Sequence, residues 1–226
     1  MDLYIIRHAQ STNNALADPQ NRSCDPRLTE LGLRQAEILA RHLAANLHRD
    51  GDGPTARLCC SPMWRALQTA DITSRALGLS PEVWVDIHEQ GGIYLDHGEA
   101  GGLVGHPGAT RHQILADFPS MALPAQVTGE GWWQGGYEDW PACHRRAVRV
   151  VEALRDQSGR QERILMVTHG GFINALMNIL VGQSPDSQVV YHQRNTAISL
   201  ISFGDNGRLH IHYLNRASHL APDMVS

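Results

Sequence analysis

Two histidines stand where a backbone can hold them still. His8 follows the apolar run of residues 2–6 (Asp-Leu-Tyr-Ile-Ile) with Arg7 before it, and His169 follows the run of residues 163–168 (Arg-Ile-Leu-Met-Val-Thr) with Gly170 and Gly171 after it. A neutral imidazole nitrogen is nucleophilic near physiological pH, where a serine hydroxyl is not. A phosphoryl group in transfer spreads negative charge over its equatorial oxygens, so positioned cations and N–H donors supply most of its catalysis. Arg7, Arg65 and a protonated His169 are cations of that kind, and Gly170-Gly171 at a helix start would offer backbone N–H groups. A departing alkoxide also needs a proton. Glu89, just past a third apolar run, is the best-placed acid and could later act as the base that activates water. One histidine among 13 beside a strand means little by itself; the set matters because its members recur at strand ends.

The elements that would hold these residues follow from periodicity. Residues 2–6, 56–60, 83–87 and 163–168 read as buried strands, and 196–203 and 208–214 as a closing pair. Helices are expected over 30–48, with Thr29 as N-cap, and over 63–77, with Pro62 near the first turn, then over 141–157 and 172–181. Residues 13–27 are rich in Asn, Asp, Pro and Arg and read as a loop, and residues 49–54 (Arg-Asp-Gly-Asp-Gly-Pro) read as a turn. Residues 90–139 form a long insertion dense in Gly, with a short helix expected over 111–118; a stretch this long in a compact domain is usually functional. Alternating strands and helices predict an α/β fold, a three-layer α/β/α sandwich around a mostly parallel sheet, in one domain over 1–226 whose insertion caps the site. Such sheets keep their active sites beyond the carboxyl ends of their strands, where Arg7, His8, residues 61–65, Glu89 and His169 would meet.

Composition narrows the classes. The 226 residues carry a net charge of −4, which offers no global basic field for nucleic acid or an anionic membrane. There is no lysine, so all 19 basic residues are arginine, and any phosphate site must use Arg or His; the planar guanidinium binds phosphate oxygens in pairs. Cys24, Cys59, Cys60 and Cys143 match no zinc spacing and read as free thiols of a reducing cytosol. No run approaches a membrane span, and the first residues are too short for a signal peptide. A soluble cytoplasmic protein is expected. His88, His97, His106 and His112 fit no metal-ligand pattern.

The blocks around these residues also carry a resemblance. Arg7-His8-Ala9-Gln10-Ser11-Thr12-Asn13-Asn14 resembles the N-terminal signature of the histidine phosphatase superfamily, also called phosphoglycerate mutase-like, whose usual form is Arg-His-Gly-x-Thr/Ser-x-x-Asn. Leu28 to Ala36, Ser61 to Ala70 and Val167 to Gly171 are similar to its later blocks, in the family's order. The resemblance implies that His8 is the phosphorylated nucleophile and that Arg7, Arg65 and His169 complete a phosphate pocket, with Ser11, Asn14 and Gly170 beside the substrate. The family's acid follows the third strand, which makes Glu89 the acid here. Ala9 stands where the family usually has glycine, and Ile87-His88-Glu89 departs from its Leu-x-Glu form.

The implied reaction is hydrolysis of a small phosphomonoester in two steps through His8, with no metal and no cofactor, because Arg and His supply the positive charge. A cofactor-dependent mutase is the alternative. Such mutases of the family carry Glu-Trp-Asn in the first block, where this chain has Thr12-Asn13-Asn14, and Lys with paired Arg in the insertion, where this chain has only Arg111. A non-catalytic module that binds a phospho-ligand is the second alternative. Trp132, Trp133 and Tyr137 suit either a wall over the leaving group or an anchor for the insertion. The expected partner is a small phosphate ester, with neither nucleic acid nor membrane; a homodimer is compatible with the sequence.

Overall fold

The sheet's own residues explain its two faces. In the computed structural model, which describes residues 1–226 apart from 48–54, 158–161, 185–186 and 205–206, six strands run in the order β3-β2-β6-β1-β7-β8. They are β1 (Asp2–Arg7), β2 (Thr55–Cys60), β3 (Glu82–Val83), β6 (Glu162–Thr168), β7 (Ile198–Phe203) and β8 (Leu209–Arg216). The first four in spatial order are parallel; β7 and β8 add antiparallel neighbours at one edge. Side chains alternate across a strand. Ile6, Leu58, Cys60, Leu165, Val167 and Ile198 therefore enter one core with helices α1 (Glu30–Leu47) and α2 (Trp64–Leu77). Leu3, Ile5, Cys59, Ile164, Met166 and Ile201 enter the opposite core with α5 (Trp140–Asp156) and α6 (Gly170–Leu180). This is the expected three-layer arrangement around a mostly parallel sheet. No described helix is long and apolar enough to cross a membrane, and all four cysteines are free.

Helix starts follow their caps. The Thr29 hydroxyl accepts the Gly32 amide at 2.9 Å and opens α1. A Cβ on Gly32 would stand 2.0 Å from the Gln10 carbonyl oxygen, so glycine is what lets α1 press against the loop after His8. Asp139 caps α5 by accepting the Ala142 amide at 2.8 Å. The turn expected over 49–54 lies outside the described residues.

Two expectations change. Only Glu82–Val83 of the third strand pairs in the sheet; residues 85–87 form a 3-10 turn. The carbonyls that a longer strand would give to a neighbour go elsewhere, those of Asp86 and His88 to Arg146 and that of Ile87 to Thr168. The insertion is also better built than its composition suggests. It contains the hairpin β4 (Tyr94–Asp96) and β5 (Leu103–Gly105), enclosing the short α3 (Gly98–Gly101), and then α4 (Arg111–Asp117). Ile93, Ile114, Phe118, Met121, Val127 and Trp132 are buried in the core beside α1 and α2.

Candidate active site

Strand register brings the histidines together. In the parallel pair β1–β6, Arg7 stands opposite Thr168, so His8 and His169 leave the sheet side by side. Their ring centroids are 5.0 Å apart. β2 ends one strand further on, and Ser61 there meets His169, Nε2 to Oγ, at 2.7 Å. The Ser61 oxygen also accepts the Met63 amide at 3.3 Å, and its hydrogen and second lone pair suit either tautomer of His169. His169 Nδ1 is buried and has no partner.

His8 is held in a defined tautomer. Its Nδ1 meets the Ala9 carbonyl at 2.7 Å, so Nδ1 carries the hydrogen and Nε2 keeps the lone pair. Arg65 Nε donates to that lone pair at 3.1 Å. Burial, then the Arg65 and Arg7 charges, hold His8 well below the usual 6.5. The ring is thus neutral and nucleophilic at physiological pH. His169 is also held well below 6.5, first by burial, then by Arg65 and His8. The protonated His169 expected from sequence is therefore disfavoured in the unliganded site.

The arginines are presented by backbone and carboxylate. Arg7 Nη1 donates to the Gln193 carbonyl at 2.6 Å, while its buried Nε has no partner. Burial lowers the pKa of both Arg7 and Arg65 from the ordinary guanidinium value, opposed by Glu89 for Arg7 and by Asp25 and Glu89 for Arg65. Arg65 lies on the buried face of α2, with Nη1 3.6 Å from Asp25. Burial pushes the Asp25 carboxyl up to about 7 against the pull of Arg65 and of the Trp64 amide, which donates to it at 3.1 Å.

Glu89 sits at the start of α6. Its Oε1 accepts the amides of Gln90 at 2.9 Å and Phe172 at 2.8 Å, and its Oε2 accepts that of Gly171 at 3.2 Å. A helix N-terminus favours an anion, and here a carboxylate of the chain takes that place. The expectation that Gly171 would offer its N–H to phosphate is corrected on this ground.

These side chains line a cavity of about 100 Å³. Arg7, His8, Arg65, Glu89, Ser11 and Asn14 all face it, together with Arg22 and Tyr94. His169 and Gly170 do not line it; His169 is fully buried, with its ring against His8. The Ser11 hydroxyl donates to Asn14 Oδ1 at 3.0 Å, so its hydrogen is engaged within the chain. Trp132 and Trp133 pack around His88 at 5.3 and 4.8 Å and do not line the cavity, so they anchor the insertion. Among the described residues no group of three or more His, Cys, Asp or Glu forms a metal-binding cluster.

Three supporting residues carried no sequence signal strong enough to single them out. Asp25 and Arg22 belong to the polar loop of 13–27, where Asp and Arg are unremarkable. Asn195 precedes β7, donates to the His8 carbonyl at 2.9 Å and is followed by Thr196 at φ 58°, a turn that no residue type announces.

A family model described as the histidine phosphatase superfamily (branch 1) matches residues 3–216. The chain belongs to that superfamily. A curated relative, "Probable phosphoglycerate mutase GpmB" of Yersinia pestis (strain Pestoides F), is 24% identical over 206 residues, which cover 91% of this chain and 86% of the relative. Among solved structures, a mycobacterial glucosyl-3-phosphoglycerate phosphatase superposes with a TM-score of 0.59 at 22% identity, covering 96% of this chain and 99% of that one. A phosphoserine phosphatase from Entamoeba histolytica gives 0.59 at 20% identity, covering 97% and 99%. At such identities the structural likeness establishes the fold alone. The neighbours are named as phosphatases and the curated relative as a mutase.

Proposed function

We propose that this superfamily member is a phosphatase that hydrolyses a small phosphomonoester through a phosphohistidine on His8, without a metal. The observation that carries the reading is the neutral His8 ring, pinned at Nδ1 by the Ala9 carbonyl, with its Nε2 lone pair held by Arg65 inside a cavity that Arg7 and Glu89 also line. A buried donor at the site, Arg7 Nε, has no acceptor. An unpaired buried donor is costly, and a phosphoryl oxygen is an acceptor that would satisfy it.

In the first step Arg65 turns from Nε2 to a phosphoryl oxygen, and Nε2 attacks phosphorus. The ester P–O bond breaks and the leaving oxygen takes a proton from Glu89, which enters this step as the neutral acid and leaves it as the carboxylate. In the second, Glu89 takes a proton from water as the water oxygen attacks phosphorus; the N–P bond breaks, its electrons return to Nε2, and inorganic phosphate leaves. The arginines and N–H donors carry the transition-state charge. The leaving group extends toward a second cavity of about 500 Å³, which shares Arg22 and Tyr94 with the first and adds Gln20, Asp96 and His97.

The name of the curated relative favours a mutase as the second reading. Against it, Arg111, the one basic residue of the insertion, spends its guanidinium on the carbonyls of Leu123 and Pro124. A panel of p-nitrophenyl, sugar and glycerate phosphates, with chelator present and with His8→Ala in parallel, separates the two. Phosphate release that the variant lacks is expected. Interconversion of phosphoglycerates without release would establish the mutase, and loss of activity with chelator would sink the metal-free mechanism.

A further inference from the structure

An ion pair sealed inside a protein calls for an explanation other than stability. Glu138 and Arg146 are 8% and 3% exposed, and they meet through a two-point fork, Nε to Oε1 at 2.8 Å and Nη2 to Oε2. Removing two charges from water costs about as much as their attraction returns, so such pairs seldom add net stability. What this pair holds is the chain on both sides of Glu89.

Arg146 Nη1 donates to the Asp86 carbonyl at 2.8 Å and to the His88 carbonyl at 2.9 Å, the latter belonging to the peptide that leads into Glu89. Its guanidinium also lies 4.7 Å over the Phe172 ring, and the Phe172 amide is a donor to the Glu89 carboxylate. Glu138 holds the other side: its own amide donates to the Gly91 carbonyl at 3.1 Å, and its carbonyl accepts Gln90 Nε2 at 2.8 Å. The residues before and after Glu89 are thus tied to one buried pair, whose carboxylate comes from the end of the insertion and whose cation comes from α5.

Resting on the phosphatase reading and on Glu89 as its acid, we propose that the Glu138–Arg146 pair is a positioning device that aims the Glu89 carboxyl at the leaving oxygen. Neither side chain lines the cavity, so any effect on chemistry passes through Glu89. The same linkage makes the insertion a partner in acid catalysis, because the segment that returns from it to α5 supplies the carboxylate. A lysine at 146 keeps the charge but cannot fork onto a carboxylate while holding two carbonyls.

The test uses two substrates on each enzyme. p-Nitrophenolate leaves without a proton, whereas the alkoxide of glycerol phosphate needs one. kcat/KM covers events through the first phosphoryl transfer, so the shared second step drops out, and the ratio of the two values is independent of how much enzyme is folded. Arg146→Lys and Glu138→Gln are expected to lower the glycerol phosphate value about tenfold or more relative to p-nitrophenyl phosphate, since displacement by an ångström costs up to about a hundredfold. Glu89→Gln should shift the ratio the same way. Equal loss on both substrates, or an unchanged ratio, in the pair's variants would reduce the pair to a structural role and overturn the proposal. An unchanged ratio in Glu89→Gln would remove Glu89 as the acid and the proposal with it. A wild type that releases phosphate from neither substrate would refute the phosphatase reading itself. Should Arg146→Lys fail to fold, Glu138→Gln decides the matter alone.

Discussion

A single methyl group on Gly171 should cost activity out of proportion to its effect on the fold. The Cβ of Gly171→Ala would stand 2.7 Å from Glu89 Oε1 and 3.3 Å from its Cδ. Ordinary contact begins near 3.4 Å, so the carboxylate must retreat by about 0.7 Å. The bond from the Phe172 amide, now 2.8 Å, would stretch to about 3.5 Å and cease to be a hydrogen bond. A hydrogen bond to a charged group contributes about 1.5–3 kcal/mol, which corresponds to roughly ten- to hundredfold in rate where that group does chemistry. The expected loss in kcat/KM on an alkyl phosphate lies in that range. The crowded atom is the mobile end of a side chain, and Gly171 does not have positive φ, so no backbone strain accompanies the change. Alanine within a helix is favoured over glycine by about 1 kcal/mol, which offsets only part of the lost hydrogen bond, so Tm should fall by about a few degrees. Gly170→Ala is the control, because the nearest atom to its Cβ is Arg7 Nε at 3.6 Å, an ordinary contact. Steady-state kinetics and a thermal melt on both variants decide the case. Full activity in Gly171→Ala, or an equal loss of rate in Gly170→Ala, would refute the reasoning.

Other outcomes follow from the site's electrostatics. Asp25 ionises at about 7 in the fold against an ordinary 3.8, so its favourable contribution is complete below about pH 4 and is lost as pH rises through 7; Asp25→Asn should flatten the decline in Tm across that window, and an unchanged slope would contradict it. His8 lies well below 6.5 in the fold, so the unfolded ring gains its proton first and stability falls as pH drops through 6.5. An NMR titration of the imidazole nitrogens should find His8 neutral with hydrogen on Nδ1 throughout that drop, and protonation at 6.5 or above would overturn the tautomer assignment. Ser61→Ala removes the hydrogen-bond partner of His169 Nε2 and should lower kcat/KM by about tenfold through a misoriented ring, read against Tm to separate orientation from folding.

Much of the site was legible because parallel strands place equivalent residues level with one another. Arg7-His8 and Thr168-His169 each end an apolar run, and the β1–β6 register turns that sequence position into proximity. Arg65 and Glu89 follow the other two parallel strands and converge for the same reason. What escaped the reading has no period to betray it. The third strand looked five residues long because Val83, Val85 and Ile87 alternate, yet Arg146 claims the carbonyls of Asp86 and His88 and bends the chain into a turn. The insertion buries isolated apolar residues between glycines and prolines, such as Ile93, Val127 and Trp132, so neither helical nor strand spacing appears. Arg146 itself left a trace. It shares the buried face of α5 with Cys143, Ala147 and Val150, and an arginine on an apolar face asks for a buried acid. Asp25 and Asn195 act through single contacts from irregular segments, which local pattern does not encode.

The central claim is that His8 carries the phosphoryl group between the two steps. Rapid quench of the wild-type enzyme during turnover of p-nitrophenyl phosphate, followed by peptide mapping under basic conditions, tests it directly. The expected result is an acid-labile phosphate on the peptide containing His8 that forms and decays at rates compatible with turnover and is absent from His8→Ala. Full turnover with no phosphate on that peptide, or with the His8→Ala variant as active as the wild type, would contradict it.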